Sequence, residues 1–302
     1  MRWHYGRSAP LPRFEYFAPQ SLTEALTLLQ ERGQGGRALA GGTDLVVQVK
    51  EGVKIPIPSY LVSLRRIPEL RGIDFSARDG LRIGATATMA EIAESPLIRE
   101  RYSALADGAE IVGSIQTMNM ATVGGNVCNA APSADTAPPL LAHEAVAVVA
   151  GPQGERELPL EEFWLGPNQT ALQPGELLRE LRLPAPPANT GGVYVRRTPR
   201  KQMDIAVIGV AVLLTLGQGD RIERARIALG AVAPTPVRAR KAEAALEGKA
   251  ASEALFAEAA ETAASEASPI DDIRGSAEFR RHLVRVTTER CLLEAVQRAR
   301  TA

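Results

Sequence analysis

Two Gly-Gly pairs constrain this chain more than any other feature. The first lies in ALAGGTDLV (38–46), between a strand-like run at Arg37–Leu39 and a helix predicted to begin near Thr43 or Asp44. The second, in ATVGGN (Ala121–Asn126), repeats the arrangement. Glycine permits positive φ and lets a ligand come close to the backbone. A helix start adds unspent N–H groups and a positive dipole end, so each junction is a place to hold an anion.

The second junction continues into an almost uncharged stretch, NVCNAAPSADTAPPLL, in which Asp135 is the sole ionisable carboxylate. Thr122 offers a hydroxyl, Asn126 an amide, and Ser133 and Asp135 further polar groups. Two anion-binding turns far apart in the chain suit a pyrophosphate held between two lobes, with Asp135 accepting from ribose or ribityl hydroxyls. Two tight turns with no ligand, and Asp44 as a plain helix cap, remain open on these residues alone. Neither turn is GxGxxG and no GxxxxGK[ST] occurs, so a dinucleotide fingerprint and a P-loop are not what the chain carries.

Charge and cysteine usage narrow the function classes. Lys plus Arg and Asp plus Glu are both 35, which leaves no basic excess for nucleic acid or an anionic membrane. Cys128 and Cys291 are the only cysteines, without a CxxC, which argues against structural zinc or a protein-held iron–sulfur cluster. His4, His143 and His282 are scattered and read as surface or packing residues. The N-terminus has no apolar signal core, and the longest apolar run, Ile205–Leu216, falls short of the roughly 20 residues that span a bilayer. A cytoplasmic chain without a membrane span is expected.

Ser21, with Glu24 in the first turn and Gly33 at the end, predicts a helix over Leu22–Arg32. Strands are predicted at Tyr60–Leu64, Leu81–Thr86 and Ala145–Val149, and helices at Met89–Glu94 and Ser103–Val112. Pro184–Pro187 marks a joint. Three β-like runs follow, then helices over Val237–Leu246, Ser252–Ala267 and Phe279–Arg300. The last helix carries a stripe of Phe279, Leu283, Val286, Leu293 and Val296, predicted to face the core.

With these segments placed, the chain resembles the FAD-binding medium subunit of molybdenum hydroxylases, the xanthine dehydrogenase and carbon monoxide dehydrogenase family. The resemblance rests on FEYFAPQSLTEAL (14–26), ALAGGTDLV (38–46), LRIGATATMAEIA (81–93), ATVGGNVCNAAPSADTAPPLLA (121–142), RKQMDIAVIGVA (200–211), GAVAPTPVRARKAEAALEG (230–248) and DDIRGSAEFRRHL (271–283), in family order. It implies an α+β fold. An N-terminal extension (1–13) precedes a two-lobed vanillyl-alcohol-oxidase-type (PCMH-type) FAD-binding domain (14–186, lobes about 14–64 and 65–186). A C-terminal domain (187–302) of three-stranded antiparallel sheet plus helices follows.

The resemblance also implies a site. Leu39, Ala40, Gly41, Gly42, Thr43, Asp44, Leu45 and Val46 would form one clasp on the FAD pyrophosphate. Thr122, Gly124, Gly125, Asn126, Asn129, Ala134 and Asp135 would form the other, with Val112 and Gly113 alongside. Arg196, where lysine is common in the family, would reach the flavin from the C-terminal domain, and Arg200 and Lys201 would lie near it. No catalytic acid, base or nucleophile and no metal ligand is expected in this chain, and Cys128 is expected to be a small filler.

Molybdenum-pterin and two [2Fe–2S] clusters would reside in a large and a small partner subunit, assembled as a dimer of heterotrimers. Electrons would pass from the clusters through FAD to NAD, oxygen, a quinone or another acceptor. A stand-alone FAD oxidoreductase of the same fold and a cofactor-free scaffold are the competing readings.

Overall fold

The structure, a computed structural model, describes residues 11–52, 56–200 and 203–302. Most of the expected N-terminal extension, His4 and Lys201 lie outside the described residues. The chain begins with β1 (Glu15–Phe17), α1 (Leu22–Arg32), β2 (Gly36–Leu39), α2 (Leu45–Glu51) and β3 (Tyr60–Ser63). The three strands form a parallel sheet in the order β1-β3-β2. Parallel neighbours need crossovers, which α1 and α2 supply. The first glycine turn is therefore the junction from β2 into α2. Ser21 caps α1 by accepting from the Glu24 N–H at 3.2 Å.

The next lobe contains β4 (Ile73–Ser76), β5 (Gly80–Gly84), α3 (Met89–Glu94), α4 (Pro96–Arg101), α5 (Ser103–Glu110), α6 (Ile115–Met118), α7 (Val123–Asn129) and α8 (Ala137–Ala142). It closes with β6 (Val146–Gly151), β7 (Gly154–Pro159), α9 (Leu160–Phe163), β8 (Trp164–Gly166), β9 (Gln169–Thr170) and β10 (Leu177–Leu183). Five strands pair antiparallel in the order β4-β5-β10-β6-β7. Leu81, Ile83, Ala147, Val149, Leu181 and Leu183 bury one sheet face against Ile92, Ile98, Leu105 and Leu140 of the helices. The other face is ionic: buried Glu180 accepts from Arg82 and Arg182, both at 2.7 Å. This alternation of charged and apolar residues is why β10, LLRELRL, sits with one polar face.

The last region has β11 (Thr190–Arg197), β12 (Ile208–Leu216), β13 (Ile222–Gly230), β14 (Val237–Arg238), α10 (Arg240–Leu246), α11 (Glu253–Glu266) and α12 (Ala277–Ala299). Its sheet is antiparallel and has four strands rather than three. Pro236 disfavours helix at the residue before it, and Val237 and Arg238 pair with Leu229 and Ala228 before a helix can start. All nine residues of β12 are buried. α11 and α12 cover one face, and the preceding lobe covers the other through Ala104, Leu141 and Ala142 against Tyr194, Ala211, Leu213 and Ala228. That double cover explains the unbroken apolar run.

The stripe predicted for α12 is corrected. Its buried face runs through Arg280, Val284, Thr287, Thr288, Cys291, Leu292, Ala295 and Ala299, with Val296 shared and Leu283 packed against the core, whereas Phe279 and Leu293 are exposed. Hydroxyls and an arginine occupy turns of the buried face, which hid its register from a search for large apolar residues.

The seam between the second lobe and the last sheet is charged. Asp107, Asp135 and Glu144 project from the lobe. Arg298 meets Asp107 at 2.8 Å, Arg196 meets Asp135 at 2.7 Å, and Arg226, Arg238 and Arg224 converge on Glu144, the first two at 2.7 and 3.0 Å.

Candidate functional site

The two glycine turns, remote in sequence, touch in the fold. A Cβ on Gly41 would overlap the Met120 carbonyl, standing 2.8 Å from its carbon and 2.9 Å from the Ala121 Cα. Gly41 is thus glycine because the backbone entering the second turn lies directly against it. At the other turn, a Cβ on Gly124 would stand 2.5 Å from the Ala85 carbonyl oxygen, which seats α7 on the end of β5. Gln48 of α2 donates to the Asn129 Oδ1 of α7 at 3.3 Å, so one side-chain bond also joins the two turns.

The turns differ in what they leave open. In the first, the N–H groups of Gly41, Gly42, Thr43, Asp44 and Leu45 find no acceptor among the described residues. Asp44 occupies the N-cap position of α2 but makes no capping bond, and its side chain points to solvent, contrary to the capping role considered for it. In the second turn the donors are already spent. Val123 N–H donates to Ala87 O and Gly124 N–H to Ala85 O, both at 2.9 Å, and Gly125 N–H donates to the Thr122 hydroxyl at 3.1 Å. The second turn is therefore a packed wall and the first a row of free donors. Main-chain donors at a helix start bind anions without side-chain charge.

The side chains of the second turn are engaged from behind. Asn126 Oδ1 accepts from the buried Thr136 hydroxyl at 2.7 Å. Its own amide NH₂ donates to no acceptor among the described residues. Ala134 is buried beside Asp135, and Gly113, at φ +62°, follows the end of α5 with Val112 packed on the lobe core. Leu39 ends β2, its carbonyl accepting from Leu64 N–H at 2.9 Å, and Val46 is partly exposed on α2.

Asp135 and Arg196 are brought together. Both side chains are withdrawn from solvent, at 9% and 5% exposure. The Asp135 carboxylate accepts from Arg196 at 2.7 Å on one oxygen and from the Tyr194 hydroxyl at 2.9 Å on the other. Burial pushes the Asp135 carboxyl up to about 6, with the Arg196 charge and the Tyr194 and Arg196 hydrogen bonds working against that rise. Burial likewise raises the Tyr194 phenol well above its ordinary value, so it stays a donor. Arg196 also donates to the Asp204 carbonyl at 3.3 Å. Cys128 is a partly buried filler beside the lobe core, its thiol pushed up to about 12 by burial.

Three residues here were not singled out from sequence. Tyr194 and Gln48 sit in ordinary-looking elements, and nothing in their spacing marks them. Arg65, in the turn after β3, reaches the Met120 sulfur at 3.7 Å, beside the seat of Gly41. Among the described residues, no group of three or more His, Cys, Asp or Glu is placed to hold a metal ion, and no helix is long and apolar enough to cross a membrane.

Residues 12–186 match the family described as FAD binding domain in molybdopterin dehydrogenase, and residues 194–295 match the CO dehydrogenase flavoprotein C-terminal domain. The chain belongs to the molybdenum hydroxylase flavoprotein family. Two relatives in this family cover nearly its whole length. The carbon monoxide dehydrogenase medium chain of Hydrogenophaga pseudoflava is 35% identical, over 93% of this chain and 96% of its own. The xanthine dehydrogenase FAD-binding subunit of Escherichia coli O157:H7 is 32% identical, over 94% and 96%.

Among solved structures, a chain of carbon monoxide dehydrogenase from Hydrogenophaga pseudoflava, in a form lacking the Mo-pyranopterin moiety, superposes with a TM-score of 0.90 at 36% identity, over 96% of this chain and 99% of that one. The family is one of oxidoreductase flavoprotein subunits, and the first domain of this chain is its FAD-binding domain. The geometry fits such a cofactor: the first turn offers a run of main-chain donors without an acceptor among the described residues, beside a neutral second turn.

Proposed function

We propose that this chain is the electron-transfer flavoprotein subunit of a molybdenum hydroxylase complex, holding FAD across the cleft between its two glycine turns. The observation that carries this reading is the row of open N–H groups from Gly41 to Leu45, set against the packed second turn. Leu39 to Val46 bind the pyrophosphate. Thr122, Gly124, Gly125, Asn126, Asn129 and Ala134 form the opposing wall, with Val112 and Gly113 at its edge. When bound, FAD would supply the redox chemistry that links [2Fe–2S] clusters of a small subunit to an external acceptor.

This chain's own part is to bind, orient and exclude water. Asn126 has an unspent amide to direct toward the cofactor. Asp135 and Arg196 work as a pair: they lock the last sheet onto the FAD-binding lobe and place a guanidinium edge at the back of the cleft. A small iron–sulfur subunit and a large molybdopterin subunit are the partners, in keeping with relatives that are medium chains or FAD-binding subunits of dehydrogenases.

The test is to purify the chain alone and with both candidate partners, recording a visible spectrum and a pull-down. A yellow chain that captures both supports the reading. A colourless chain that cannot be reconstituted with FAD overturns it, and a yellow monomer that oxidises a substrate unaided favours a stand-alone oxidoreductase.

A further inference from the structure

One buried guanidinium ties together the two segments that meet at Asp135 and Arg196. Arg280, in the first turn of α12, is 4% exposed. Its Nη1 donates to Val207 O at 2.9 Å and to Ala231 O at 3.0 Å. Nη2 donates to Asp272 Oδ1 at 2.6 Å, which fixes the plane of the group. Nε is buried and finds no acceptor among the described residues. The two carbonyls and the carboxylate therefore set where the group sits.

Both carbonyls lead to the pair. Ala231 N–H donates to Pro132 O at 2.8 Å, and Pro132 opens the PSAD run that carries Asp135. Val207 N–H donates to Arg197 O at 2.8 Å, one residue beyond Arg196 at the end of β11. A single nitrogen of Arg280 thus holds the residue that grips the Asp135 loop and the residue that grips the Arg196 strand.

The local backbone needs such a hold. Ala231 has φ +60°, in the left-handed region that residues with a Cβ seldom adopt. Backbone of this kind persists where its surroundings over-determine it. Here the Arg280 bond restrains the Ala231 carbonyl and the Pro132 bond restrains its N–H. Gly230, just before it, has no room for a side chain: a Cβ would stand 2.7 Å from Pro138 Cγ of α8. The end of β13 meets the second lobe with bare backbone, and its path decides where the Asp135 loop lies.

We propose that Arg280 is a positioning residue for the flavin site, setting the Asp135–Arg196 pair and, through it, the wall formed by the second glycine turn. The flavin part rests on the functional reading above, whereas the pair can be measured without a cofactor. Arg280→Met should weaken FAD binding at least about tenfold, measured well below its Tm. Arg280→Lys, whose ammonium can also donate to two carbonyls, should recover part of that loss. The loss should be less than additive with that of Arg196→Met, because both act through one pair.

In chain without flavin, the coupling of Asp135→Asn with Arg196→Met in a urea double-mutant cycle should fall to less than half in the Arg280→Met background. Arg281→Met, at the next and exposed position of α12, should match wild type in both readouts. Should Arg280→Met not fold, Asp272→Ala, which frees Nη2, is held to an about threefold loss of FAD affinity and a reduced coupling. Unchanged coupling overturns the proposal even if Tm falls, since Arg280 would then be a structural anchor only. FAD affinity within about twofold of wild type, in a chain that binds FAD, overturns it as well. A wild-type chain that binds no FAD contradicts the functional reading instead, and the coupling still decides whether Arg280 sets the pair.

Discussion

The Asp135 carboxylate and the Arg196 guanidinium lie 2.7 Å apart, out of solvent, and join the second glycine turn to the last sheet. A buried charge left without its partner costs about 3–5 kcal/mol. Arg196→Met should therefore lower the unfolding free energy by about 3 kcal/mol, measured by urea denaturation. Adding Asp135→Asn should recover part of that loss, with a coupling of about 1–3 kcal/mol in the double-mutant cycle. Additive effects would mean that the pair does not act as a unit.

The same seam should show two opposite pH dependences. Asp135 is held at about 6 in the folded chain, above its ordinary 3.8. Between those values the folded chain binds a proton that the unfolded chain releases, so this group's contribution is fullest below the unfolded value and declines as pH rises through 6. The stability of wild type relative to Asp135→Asn should fall by roughly 2–3 kcal/mol from pH 4 to pH 7.

Glu144 has the other sign. Burial opposes its ionisation, but the Arg226 hydrogen bond and the charges of Arg226, Arg224 and Arg238 outweigh that and lower its pKa below 4.5. Its contribution is present at neutral pH and is lost as pH falls through the folded value. Thermal melts of Glu144→Gln against wild type should differ most at neutral pH and converge in acid. A gap that widens in acid would refute this assignment.

Gly41 faces a backbone that cannot retreat without moving the second turn. Gly41→Ala should cut FAD retention at least about tenfold, or about 1.4 kcal/mol, read from flavin absorbance per chain. Gly166→Ala, where a Cβ would find its nearest neighbour at 3.5 Å, should retain flavin like wild type.

Much of this architecture is legible in the residues. Ser21 and Gly33 bound α1 as expected, and the doubly covered strand β12 announces itself as an apolar run. Strands β4, β7 and β10 escape notice because IDFS, GERELP and LLRELRL carry charges that belong to an ionic sheet face. The buried face of α12 is hidden by Arg280, Thr287 and Thr288, whose partners lie on other elements.

At the site, the glycine pairs point to the two turns, but sequence cannot tell a free donor from a spent one. Both turns read alike until Ala85 and Ala87 take the N–H groups of the second. Nor does spacing reveal that Asp135 meets Tyr194 and Arg196 across the seam, since those contacts join segments about sixty residues apart.

The central claim is that the cleft between the two turns holds FAD. Titrating flavin-stripped chain with FAD and following flavin fluorescence tests it most directly. The account predicts saturable binding of one FAD per chain, weakened at least about tenfold in Gly41→Ala and kept in Gly166→Ala. Absence of binding by the wild-type chain, or binding indifferent to Gly41→Ala, would contradict it.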